Sequence, residues 1–103
     1  MTQQIDFAGA SGARYRYSAL DEDRFLPPAG ANYVIAELTE DGPTVVYAGE
    51  TDNLASQSWR GDLEKARRKY ANATVLTRLN VTRAVREAER LDLIEHYHPP
   101  LNG

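Results

Sequence analysis

The chain has 103 residues, 42% of them hydrophobic and 26% charged, with a net charge of −3 at pH 7, which suits one small domain with a single modest core and excludes two. It contains no cysteine, so disulfide frameworks, thiolate metal sites and cysteine nucleophiles are excluded, and the composition fits a reducing cytosol. The start, MTQQIDFAGASG, has neither the basic nor the apolar region of a secretory leader, and no apolar run approaches the roughly 18 residues of a membrane span, so a soluble cytoplasmic protein with no membrane partner is expected.

In chain order, RYRYSA places Tyr15 and Tyr17 between arginines and predicts an edge strand with one aromatic face. The acidic DEDRF and Pro27-Pro28 with Gly30 then read as a loop and turn. ANYVIAEL (31–38) and TVVYAG (44–49) are rich in β-branched and aromatic residues, and Asp41-Gly42 between them predicts a hairpin. After Gly49 the pattern turns helical. Asp52 or Asn53 can cap a helix of about sixteen residues whose inward stripe is Leu54, Leu63, Ala66 and Tyr70, with Gly61 marking a kink or close contact. ATVLTRLN (73–80) alternates as a third strand. Thr82 then caps a last helix with inward Val85, Ala88, Leu91 or Leu93, and Ile94, stopped by Pro99-Pro100. The expected fold is a small α/β sandwich. Its short, mostly antiparallel sheet of about three strands is flanked by helices, with residues 1–29 as an N-terminal extension packed on a domain of residues 30–103.

Charge is segregated along the chain. Residues 60–90 carry nine lysines and arginines against four acids, a net of +5, and the remainder sums to −8. Such a segment serves either as an electrostatic footprint for phosphates or as solvated helix faces with pairs such as Asp62 with Arg60 and Glu87 with Arg83.

Asn32-Tyr33-Val34, Tyr47-Ala48-Gly49 and DLIEHYHPPLN at 92–102, in this order and with these elements between them, resemble the GIY-YIG endonuclease domain from about Gly30 to Asn102. The domain is similar to the excinuclease C N-terminal domain, and GASGARYRY is similar to a leader on one bacterial branch of these domains. The resemblance implies phosphodiester chemistry. A strand tyrosine orients or deprotonates water, a helix arginine steadies the phosphate, a glutamate on the last helix holds Mg²⁺, and an asparagine supports the geometry. Tyr33 and Tyr47 match the two tyrosines and Asn102 the asparagine. Gln57 falls at the arginine position, Gly61 at a histidine position, and Arg90 at the metal-ligand position, where a cation repels Mg²⁺. Arg60 can stand in for the arginine, and Glu89 for the ligand if the helix register shifts by one residue.

On this resemblance the expected function is a catalytically degenerate domain, bacterial and cytoplasmic, that binds DNA or another nucleic acid without a cofactor. Its phosphate contacts are Arg60, Lys65, Arg67, Arg68 and Arg90. One alternative is an active Mg²⁺-dependent endonuclease using Tyr33, Tyr47, Arg60, Glu89 and Asn102. Another is a protein-interaction module that docks a DNA-processing enzyme through DEDRF or an exposed Trp59. The residues also have plainer roles: Tyr33 and Tyr47 suit half-buried sheet packing, Asn102 a local cap, and His96 and His98 the surface.

Overall fold

The computed structural model describes residues 3–20 and 26–102. Alternating apolar residues form β1 (Gln4–Ala8), β2 (Arg14–Ala19), β3 (Ala31–Thr39), β4 (Gly42–Thr51) and β5 (Ala73–Leu79), with a 3₁₀ turn at Leu54–Ser56 and helices α1 (Trp59–Lys69) and α2 (Arg83–Tyr97). The described residues thus hold one sheet of five strands, ordered β1-β2-β5-β3-β4, rather than about three. Every pairing is antiparallel. The two extra strands come from the N-terminal segment. QIDFA alternates as RYRYSA does, so β1 takes the edge and β2 sits inside the sheet, bonded to β5 at Ser18–Thr77 and Ala19–Leu76. The aromatic face read from Tyr15 and Tyr17 is a core face: Tyr17 is fully buried and meets Phe7 edge-on, their ring centroids 5.5 Å apart.

Successive strand residues face opposite sides, and each side carries one helix. Tyr33 and Ile35 pack with Trp59, Leu63 and Ala66 of α1, whereas Val34 and Ala36 pack with Leu93 of α2. The expected hairpin forms at Glu40-Asp41, with Gly42 at φ 109° and the Thr39 hydroxyl donating to the Gly42 carbonyl at 2.8 Å.

The region after Gly49 is two elements rather than one helix. Asn53 caps the 3₁₀ turn by accepting from the Ala55 amide at 3.0 Å, and Gln57 then takes a left-handed conformation that separates turn from helix. The expected stripe of Leu54, Leu63, Ala66 and Tyr70 does face inward, joined by Trp59 with no exposed surface. Trp59 therefore belongs to the core and offers no exposed anchor to a partner. Gly61 stands in the first turn of α1 with open space around it, so it makes no close contact.

α2 faces the sheet differently from the pattern's suggestion. Leu93 is buried, and Ile94 and Tyr97 pack beside it, but Val85, Ala88 and Leu91 point outward. Their places are taken by Arg86 and Glu89. Arg86 bonds Glu50 at 2.9 Å and the carbonyls of Asn80 and Val81 at 3.0 Å each, while Glu89 bonds Arg78 at 3.0 Å. Buried charge is tolerated because each is paired and hydrogen-bonded, and an apolar-periodicity rule has no means of finding such a face. Gly30 leaves the space the Arg86 guanidinium fills.

Candidate functional site

The strand residues that match the resemblance are brought together by a bulge. Ile35 pairs with Tyr47 and the next residue, Ala36, with Val45, so Val46 is an extra residue in β4. Through it both Val46 and Tyr47 pack on the α1 side, and the Val46 carbonyl is left to accept from the Leu101 amide at 3.0 Å. Tyr33 lies opposite Gly49, and its ring crosses β4 where a side chain would stand: a Cβ on Gly49 would come within 2.5 Å of the ring. The Tyr33 and Tyr47 rings are 6.0 Å apart, and the Tyr33 hydroxyl donates to Asp62 at 2.7 Å.

The chain end forms the next wall. Asn102 accepts from the Ala48 amide at 2.8 Å and donates to the Ala48 carbonyl at 2.9 Å, so its amide pairs with β4 as a neighbouring strand would. A cavity of about 350 Å³ opens between these groups, lined by Tyr47, Asp62, Lys65, Arg90, Leu101 and Asn102. Arg90 reaches it from α2, its guanidinium also bonded to Glu87.

Of the predicted site residues, Tyr47, Asn102, Lys65 and Arg90 line the cavity, with Tyr33 bonded to its Asp62 wall. The other basic residues do not converge there. At about 100° per residue, Asp62 and Lys65 share one edge of α1, whereas Arg60 and Arg67 share the other and Arg68 points outward. Arg60 donates to the Gln57 side chain at 2.7 Å and lies over the Trp59 ring, and Arg67 donates to the Ala73 carbonyl at 3.1 Å. The pairs expected from sequence are likewise replaced, Asp62 taking Tyr33 and Glu87 taking Arg90.

α2 runs as an unbroken helix, and the register shift that would bring Glu89 to the cavity is not adopted: Glu89 faces Arg78 beneath the helix. His96 and His98 are exposed, and DEDRF at 21–25 lies outside the described residues. Asp62 was missed as a site residue. Once Leu63 and Ala66 are read as inward, position 62 falls at the border of that stripe, on the side of Lys65, and this spacing is the signal that could have found it.

The tyrosines are held neutral. Burial first, then the Asp62 bond, raise Tyr33 far above the ordinary tyrosine range, and burial and the Asp62 charge raise Tyr47 against the opposing pulls of its hydrogen bond with Tyr33 and of Arg90. Both hydroxyls therefore keep their protons, and that of Tyr33 donates to Asp62. Among the described residues no group of three or more aspartates, glutamates or histidines converges. A single carboxylate beside an ammonium and a guanidinium does not fit Mg²⁺, which takes several hard oxygens, whereas Lys65 and Arg90 outnumber the Asp62 carboxylate and, with the Tyr47 hydroxyl, fit an anion. No helix among the described residues is long and apolar enough to cross a membrane. No protein-family model, curated protein or solved structure matches the chain.

Proposed function

We propose that the chain is a GIY-YIG-like domain that binds nucleic acid, holding a backbone phosphate in the cavity of Tyr47, Lys65 and Arg90 without cleaving it. The observation that carries this reading is that Arg90 and not Glu89 lines the cavity, together with Lys65. A permanent guanidinium then stands where the resemblance places a metal ligand, and it attracts phosphate directly. Asn102 and the Val46 bulge fix the walls against which the phosphate rests. The cleaving alternative needs Arg60 and Glu89 at the cavity, and both are bonded elsewhere.

The reading is tested by fluorescence anisotropy of a labelled DNA duplex over a salt series. Lys65→Gln and Arg90→Gln are each expected to weaken binding and to lower the slope of log affinity against log salt by about 0.9. The control is Arg14→Gln, which changes an exposed residue on β2, three strands from β4, and should leave the slope unchanged. Salt-insensitive binding, unchanged slopes in both cavity variants, or Mg²⁺-dependent nicking by the wild type would each overturn it.

A further inference from the structure

α2 turns charged Arg86 and Glu89 toward the sheet and apolar residues toward solvent. Val85 is 45% exposed and Leu91 52%, and Ala84 and Ala88 lie between them on the same face. This face is one wall of a groove of about 560 Å³ whose other wall is the β1–β2 hairpin at Ser11 and Tyr15. Asp92 ties the two walls together, accepting from the Ser11 amide at 2.8 Å, the Ser11 hydroxyl at 2.6 Å and the Tyr15 hydroxyl at 2.7 Å. The Ala10 amide adds a bond to the Asp92 carbonyl at 3.1 Å. The groove is thus preformed, and little order must be gained to fill it.

Its charge is of one sign. Glu89 is neutralised by Arg78, and Glu87 beside the groove by Arg90. Asp92 receives hydrogen bonds from neutral donors, which hold its carboxyl below the usual range and keep it anionic, with His96 near enough to act in the same direction. Glu95 is exposed on the rim and has no ion-pair partner among the described residues. A second copy seated here would bring carboxylates against carboxylates, which disfavours self-association. An apolar floor with an acidic rim is complementary to a helix with an apolar stripe flanked by lysine or arginine.

We propose that the groove between α2 and the β1–β2 hairpin docks a basic amphipathic helix of a partner protein, seating apolar side chains on Val85, Ala88 and Leu91 and cationic ones against Asp92 and Glu95. The surface is separate from the phosphate-binding cavity and stands whether or not nucleic acid binds there.

The test is an NMR titration of the ¹⁵N-labelled chain with a synthetic amphipathic leucine-lysine helix, and with the same peptide carrying glutamate for lysine. The lysine peptide is expected to give saturable shifts confined to the outward face of α2 and to residues near Tyr15, and the glutamate peptide none. Glu95→Lys and Leu91→Asp, both at exposed positions and each checked for an unchanged fold by its NMR spectrum, should each weaken the lysine peptide about tenfold. Absence of binding, equal response to both peptides, shifts scattered away from the groove, or insensitivity to both variants would overturn the proposal. So would a concentration-dependent dimer by sedimentation that Leu91→Asp abolishes, since a second copy would then be the occupant.

Discussion

Replacing Asn102 with alanine tests whether the chain end closes the edge of the sheet. Among the described residues β4 has a strand, β3, on one side only, so its outward amides and carbonyls need partners from elsewhere. The Asn102 side chain supplies two, at 2.8 and 2.9 Å to Ala48. Each hydrogen bond contributes about 1 kcal/mol net, so Asn102→Ala should cost about 2 kcal/mol. That is roughly a 30-fold shift toward the unfolded chain, and at about 4–8 °C per kcal/mol for a domain of this size it lowers Tm by about 8–16 °C. Asn102→Asp separates geometry from mere side-chain loss. One carboxylate oxygen can still accept from the Ala48 amide, but the other faces the Ala48 carbonyl with no proton to donate. That site favours the protonated acid, so the new carboxyl's folded pKa lies above its unfolded value. Its contribution is therefore complete below the unfolded value of about 3.9 and is lost as pH rises through the folded one. Urea melts at pH 4 and pH 7 should show the aspartate variant gaining on the alanine variant in acid. A loss under about 0.5 kcal/mol in Asn102→Ala, or two variants that respond alike to pH, refutes the strand-like role.

Alkaline pH should unfold the protein through its buried tyrosines. Tyr17 and Tyr33 both have folded pKa values raised far above 10, chiefly by burial, so the unfolded chain loses these protons first. Their stabilisation is complete below about pH 10 and falls above it by about 1.4 kcal/mol per pH unit for each group. Urea melts from pH 9 to 11 check this, and Tyr17→Phe and Tyr33→Phe should each flatten the decline; an unchanged slope in both rejects it. Arg86→Met breaks a buried, hydrogen-bonded pair and is expected to cost about 3–5 kcal/mol, with Glu50→Gln in the same chain restoring part of it. A double-mutant cycle measures that coupling, and additive losses would show that the pair is not the cause.

The parts of the fold legible in the sequence were those written in local chemistry. Asp41-Gly42 specified the hairpin because few other residues enter a tight turn at positive φ, and the α1 stripe followed from spacing alone. β1 escaped because five residues of alternation beside a polar terminus carry a weak signal. Its role is set by pairing with β2 and by Phe7 meeting Tyr17, both tertiary facts. α2 was misread for the opposite reason: its apolar residues are periodic, but the sheet beneath it supplies partners for charge. Arg86 finds Glu50 and two carbonyls, and Glu89 finds Arg78. At the candidate site, Tyr47, Asn102 and Arg90 were named through the resemblance, whereas Asp62 depended on where α1 begins. That start is set by the left-handed Gln57, which no propensity rule anticipates.

The position of Arg90 bears most directly on what the cavity can do. Catalysis requires interactions stronger in the transition state than in the ground state. Under the proposed reading Lys65 and Arg90 hold the phosphate by charge, and Tyr33 and Tyr47 are held neutral beside it. Such charges can also steady a transition state, but among the described residues no group of three or more acids or histidines converges to hold the metal that the cleaving alternative needs. The carboxylate that could take a proton, Asp62, already receives one hydrogen bond from Tyr33. Under the proposed reading it positions that ring across Gly49 rather than activating water. Under the proposed reading, the exchange of an acidic ligand for Arg90 therefore converts a frame suited to cleavage into one suited to retention, with the same bulge and the same asparagine holding both walls in place.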